Sequence, residues 1–98
     1  MAFHVYILLC ADQAYYVGHT DDVDQRMAQH GDGIGSKYTS DRRPLSLLWT
    51  MNCPSRESAF MAERQIKGWS WAKKEALMRG DIDQLAILAR GRTGRREG

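Results

Sequence analysis

Tyr6 and Tyr16 stand ten residues apart in "HVYILLCADQAYYVGHT", residues 4–20. Each phenol can donate, accept or pass a proton, although at a pKa near 10 it is a poor base in isolation. The alternative is two strand aromatics whose hydroxyls rest at the edge of a core. Parity decides between the two. Side chains alternate along a strand, so a turn that pairs Tyr6 with Gly18 puts both phenols on one face. A two-residue turn that pairs Ala11 with Ala14 puts them on opposite faces. Gly18 weakens a strand and marks close approach by a ligand or another backbone.

Arg26 and His30 are four residues apart and share a helix face with Val23, with Met27 beside them. A cation and an imidazole there suit an anion and a proton. They equally suit a solvated arginine with a packed stem and a helix-terminal histidine favoured by the dipole. Glu63 lies about 40° from Ala59 at about 100° per residue, at the margin of an apolar stripe of Ala59, Ala62 and Ile66. A carboxylate near a buried face needs a partner. Arg64, Lys67, Arg26 or a divalent cation could serve, and one carboxylate with water and phosphate oxygens makes a reasonable Mg²⁺ or Mn²⁺ site. It is too poor for structural zinc. "SKYTSDRR" adds Lys37, Arg42 and Arg43 beside Tyr38 in a Gly-rich stretch, which suits a phosphate backbone or simply solvent. That stretch lacks the GxxxxGK[ST] spacing of a P-loop.

These residues need a scaffold. Residues 3–10 and 14–20 read as two strands of a hairpin, although no Asn-Gly or Asp-Gly fixes its turn. A helix follows, capped by Thr20 or Asp21 and ended by Gly31. Residues 31–44 read as a Gly-rich basic connector, and 45–52 as a third strand after Pro44. The next helix follows Pro54, with Ser55 as its cap and Gly68 as its end. Another runs between Ser70 and Gly80. "DIDQLAILAR" suggests a last helix or a docked tail, and the final residues read as disordered. The order β-β-α-β-α-α predicts an α+β fold, a small three-stranded sheet flanked by helices in a single domain over residues 1–89 with an Arg-rich tail at 90–98.

Composition narrows the function classes. The 98 residues carry a net charge of +2, but residues 90–98 hold four Arg and one Glu, so the body sums to −1. A nucleic-acid site must come from local placement of charge. No stretch reaches the roughly 18–20 apolar residues of a membrane span, so no membrane partner is expected. No basic segment leads into an apolar stretch and a cleavage site at the N-terminus, so the cytoplasm is the expected compartment. Cys10 and Cys53 have no metal-ligand spacing and read as free thiols, Cys10 as packing.

Taken together, "VYI" at 5–7, "YVG" at 16–18, an Arg eight residues after that Gly, a His four later and a helical Glu beyond the third strand resemble the GIY-YIG nuclease domain. The resemblance runs from about Phe3 to Leu77. Small stand-alone bacterial members are matched further at Lys37-Tyr38-Thr39, Arg42-Arg43-Pro44 and Ile66 to Leu77. It implies a metal-dependent endonuclease hydrolysing phosphodiester bonds in DNA, with RNA not excluded, and a place in DNA repair or recombination. Catalytic residues would be Tyr6, Tyr16, Arg26, His30 and Glu63, with Mg²⁺ or Mn²⁺ on Glu63. Nucleic acid would be met by Gly18, His19, Lys37, Arg42, Arg43 and Lys67. Tyr16 would accept a proton or position water, Tyr6 would orient it, and His30 would support them. Nearby Arg26 and bound cations would lower the phenol pKa.

The sequence departs from the family pattern in three ways. It has "HVYI" in the first motif, and His19 where repair-type members often carry Lys. The late Asn of homing-type members has no clear counterpart. The rival reading is a catalytically inactive nucleic-acid-binding module of the same fold, and a third is a protein-interaction domain.

Overall fold

The computed structural model describes residues 2–34, 36–81 and 83–84. The chain divides into two compact units, the first ending at Lys67 and the second beginning at Gly68. The first unit is an antiparallel three-stranded sheet with helices. Its strands are β1 (Phe3–Leu9), β2 (Tyr15–Thr20) and β3 (Ser46–Cys53), in spatial order β2-β1-β3. β1 is central. Val5, Tyr6, Ile7 and Leu8 are all at most 1% exposed, which is why this strand reads as a continuous apolar run rather than an alternating one.

The β1–β2 turn settles the parity of the tyrosines. Cys10 N–H donates to the Ala14 carbonyl and Gln13 N–H to the Cys10 carbonyl, both at 2.9 Å. The loop is therefore three residues long, with Gln13 in the left-handed region at φ 71°, a recognised hairpin geometry. Asp12 Oδ1 accepts the Ala14 N–H at 3.1 Å and so stands in for the missing Asn-Gly signal. This register places Tyr6 opposite Gly18 and Leu8 opposite Tyr16. Both phenols lie on one face. On its other side Tyr6 pairs with Thr50 of β3, and a register shift after Ile7 skips Leu48.

Helix α1 covers Val23–Gly31. Its cap is Asp22, whose Oδ1 accepts the Gln25 N–H at 3.0 Å. Thr20, one of the two expected caps, instead accepts the Asp22 N–H at 3.1 Å and holds the chain one step further back. The basic connector contains an unexpected four-residue helix, α2 (Lys37–Ser40), capped by Ser36. α3 (Arg56–Lys67) follows β3. Ser55 Oγ accepts the Ser58 N–H at 3.1 Å, as the sequence predicts. α3 packs chiefly on β2 and β1, with Ala59 and Ile66 buried.

The second unit holds α4 (Trp71–Arg79). Ser70 caps it, and Gly80 closes it at φ 73°, where a side chain would be strained. The Arg-rich tail, its boundary at residue 90 and most of the expected last helix lie outside the described residues.

Gly18 makes this register possible. A Cβ there would sit 2.5 Å from the Tyr6 hydroxyl oxygen and 3.1 Å from the Tyr16 ring. What approaches this glycine is the Tyr6 phenol. Gly18→Ala must therefore push Tyr6 off its position. Overpacking of this kind costs about 1–3 kcal/mol, so the urea denaturation midpoint is expected to fall accordingly. An unchanged midpoint would contradict the packing described.

Candidate active site

Tyr6 is the hub of the tyrosine-bearing face. Its hydroxyl lies 2.9 Å from His30 Nε2 at the end of α1 and accepts Arg26 Nε–H at 3.4 Å. Tyr16 completes the cluster. Its ring centroid is 6.4 Å from that of Tyr6 and 5.6 Å from the His30 ring, edge to face. Arg26 also interacts with Tyr16 and donates to Gln29 Oε1 at 3.0 Å. The short α2 contributes Thr39 from behind, with Oγ1 3.0 Å from His30 Nδ1. Tyr6, His30 and Thr39 are all buried. Among the described residues every buried side-chain nitrogen and oxygen has a partner, as a buried polar cluster requires.

The second half of the site is on α3. Glu63 Oε1 meets His19 Nδ1 at 2.6 Å, and Oε2 accepts Lys67 Nζ at 3.0 Å. Of the partners considered for Glu63, Lys67 is present, and His19 joins it. The Lys67 ammonium also lies 5.7 Å over the Tyr16 ring and so links the carboxylate to the phenols. Phe60, a turn earlier, packs edge-on against His19 at 5.9 Å.

Burial sets the electrostatics. It pushes the Tyr6 phenol above 10.0, and the Arg26 hydrogen bond only partly offsets it. Arg26 lowers the phenol, as expected from the sequence, but desolvation of a tyrosinate outweighs one guanidinium and the net shift is upward. The phenol oxygen in turn holds Arg26 above its ordinary value. His30 is pushed below 6.5, first by burial and then by the Arg26 charge, so it is neutral at pH 7. Burial also raises the Glu63 carboxyl, but the His19 and Lys67 hydrogen bonds prevail and hold it below 4.5.

The residues expected to meet nucleic acid are placed differently from one another. Arg42 stacks 3.8 Å over Tyr38 and donates to Asp12 Oδ2 at 3.0 Å. Tyr38 lies 5.8 Å from Tyr16, so this stack runs outward from the phenols. Arg43 donates to the carbonyls of Ser40 and Gly31, and Lys37 pairs with Asp41 at 3.1 Å. Thr39 belongs to the matched Lys37-Tyr38-Thr39 stretch and Ser36 precedes it, but neither takes a role in the site on sequence grounds. The one available signal was their three-residue spacing, a helix-capping pattern within a stretch read for its charge.

Glu63 offers one anionic carboxylate. Among the described residues no group of three His, Cys, Asp or Glu is placed to hold a metal. That donor set fits a weak Mg²⁺ or Mn²⁺ site completed by phosphate oxygens and water, and it does not fit a preformed cage. No helix among the described residues is long and apolar enough to cross a membrane.

Known proteins are similar to most of this chain. The family model described as the GIY-YIG catalytic domain matches residues 2–76. A UPF0213 protein of Halobacterium salinarum is 46% identical over 74 residues, covering 76% of this chain and 96% of the relative. A solution NMR structure of a UPF0213 protein from Bacillus halodurans superposes with a TM-score of 0.53 at 44% identity, covering 81% of this chain and 84% of that one. Another, of an E. faecalis protein, gives 0.59 at 31% identity over 84% and 88%.

The His30 shift makes a stability prediction. The unfolded chain takes up a proton near pH 6.5 that the folded chain resists. The His30 contribution is therefore complete above that pH and is lost as pH falls below it, by at most about 1.4 kcal/mol per pH unit. Glu63 acts in the same sense, but only below 4.5. Between about pH 7 and 5, urea melts of the wild type should lose stability more steeply than those of His30→Gln. Equal slopes would contradict a buried neutral imidazole.

Proposed function

This chain belongs to the GIY-YIG catalytic domain family, and on that premise we propose that it is an endonuclease hydrolysing phosphodiester bonds in DNA with Mg²⁺ or Mn²⁺. The observation that carries the reading is the convergence of Tyr6, Tyr16, Arg26 and His30 in one hydrogen-bonded cluster, with Glu63 tied to Tyr16 through Lys67. Action on branched DNA in repair or recombination is part of this reading.

Hydrolysis needs a water oxygen freed of a proton, in line with the leaving 3′ oxygen, and charge stabilisation on the phosphate. Arg26 can only donate, so the Tyr6 proton is directed at His30 Nε2. As water attacks, its proton passes to the Tyr6 oxygen while the Tyr6 proton passes to His30. The P–O3′ bond breaks, and the leaving oxygen takes a proton from solvent. Tyr6 is thus a conduit, and His30 is the terminal acceptor. A free tyrosinate is not required, which matters because Tyr6 is held above 10.0 and His30 below 6.5. Tyr16, half-buried beside them, positions the water. Arg26 offers charge-assisted hydrogen bonds to the phosphate. Glu63 would hold the divalent cation, which when bound supplies Lewis-acid stabilisation of the charge developing on phosphate.

One observation favours the rival, a nucleic-acid-binding module without turnover. Both Glu63 oxygens are already engaged, by His19 and Lys67, and a cation must compete with them. The deciding experiment is nicking of labelled branched and single-stranded DNA by wild type and Glu63→Gln, with Mg²⁺ or Mn²⁺. Cleavage by the wild type and a fall of at least about 100-fold in the variant are expected. Equal activity would remove the metal role. Salt-dependent binding with no cleavage in either metal would select the rival.

The pH–rate profile tests the relay separately. The rate should climb to a break below pH 6.5, where His30 loses its proton, and then level off. A rate still rising toward about pH 10 would make tyrosinate the base.

A further inference from the structure

His30 can act as acceptor only if Nε2 is bare, and the residues behind it decide that. The Tyr6 hydroxyl is buried, and its partners are Arg26 Nε–H, a donor, and His30 Nε2. Its proton must therefore go to Nε2. A neutral imidazole with a bare Nε2 carries its hydrogen on Nδ1. Nδ1 lies 3.0 Å from Thr39 Oγ1, so Thr39, fully buried, has to accept.

Ser36 makes that possible. Thr39 has one hydroxyl proton, and two of its acceptors belong to Ser36: the carbonyl at 3.2 Å and the hydroxyl at 3.0 Å. The Ser36 hydroxyl is itself fixed, because it accepts the Thr39 backbone N–H at 3.2 Å as the cap of α2. With its proton turned back onto Ser36, Thr39 presents a lone pair to His30. Back-bonding of this kind is ordinary for a helical threonine. What is particular is the imidazole N–H on the other side of the oxygen.

We propose that Thr39, oriented by Ser36, is a positioning residue that locks His30 in the Nδ1–H tautomer and so keeps Nε2 open to the Tyr6 proton. The inference rests on His30 as terminal acceptor in the reading above. The groups that face His30 are Tyr6 of β1, Tyr16 of β2, Arg26 of its own helix and Thr39 of α2. No carboxylate is bonded to it among the described residues. A carboxylate in the place of Thr39 would fix the same tautomer but favour the imidazolium. A hydroxyl fixes the tautomer and leaves the ring neutral.

The test is long-range ¹H–¹⁵N NMR of the full chain at about pH 7.5, above the ordinary histidine range, together with DNA cleavage. Wild-type His30 should show a protonated Nδ1 and a bare Nε2. Thr39→Val removes the hydroxyl at nearly constant shape. It should bring in the Nε2–H form and cut kcat about tenfold, the equivalent of one hydrogen bond, with KM unchanged. Thr39→Ser should restore both. A wild-type ring protonated on Nε2 overturns the proposal. So does a folded Thr39→Val variant with wild-type tautomer and rate. If Thr39→Val gives no cooperative melt, the wild-type and Thr39→Ser spectra decide. A wild type that cleaves no DNA sinks the nuclease reading alone, because the tautomer is read without substrate.

Discussion

The structure of the first unit turns on one hydrogen bond, from the buried Tyr6 phenol to His30 Nε2 at 2.9 Å. A phenol and an imidazole withdrawn from water must find partners, because an unpaired buried polar group costs about 1–3 kcal/mol. Meeting that demand brings together β1, which carries Tyr6, α1, which carries His30 and Arg26, and α2, which carries Thr39. β2 must give way at Gly18, because the phenol fills the space that a side chain would need. The β1–β2 register, the three-residue turn and the small helix all serve the same contact. The contact is buried and, before any proton moves, neutral.

Much of this was legible in the residues. The strands, the Ser55 and Ser70 caps and the Gly80 stop follow from local rules of periodicity and capping, and the resemblance carried by "VYI", "YVG", Arg26, His30 and Glu63 leads to the family that the comparisons show. The facing of the tyrosines was not legible. It depends on a turn whose length is set by an Asp12 side chain and a left-handed Gln13, neither of which announces itself as Asn-Gly would. The α1 cap fell to Asp22 because Thr20, Asp21 and Asp22 all qualify chemically and tertiary placement chose among them. α2 is too short for any periodic signal. The role of Thr39 depends on what lies behind His30, which is tertiary information. The net upward shift of the Tyr6 pKa was not legible for the same reason, since the depth of burial is a property of the fold.

Glu63 shows a different balance. Half-withdrawn from water, it is kept ionised by His19 and Lys67, so the carboxylate is ready for a cation yet already satisfied. His19 is therefore part of the carboxylate's environment. The basic stretch is less open than its composition suggests. Arg42 and Arg43 are largely committed to Asp12, Tyr38 and backbone carbonyls, and they shape the loop that carries α2. In a body with a slightly acidic sum, Arg26 and Lys67 are the cations that stand beside the phenols.

The central claim is that the Tyr6 hydroxyl passes a proton to His30 as well as organising the fold around it. Tyr6→Phe separates these roles, since it removes one oxygen and keeps the ring that packs beneath Gly18. Single-turnover cleavage of branched DNA by the wild type and this variant, each first shown to melt cooperatively, is the most direct measurement. The account predicts a folded variant whose cleavage rate is lower by at least about 100-fold, the usual weight of a positioned proton-transfer group. A folded Tyr6→Phe protein that cleaves at the wild-type rate would contradict it.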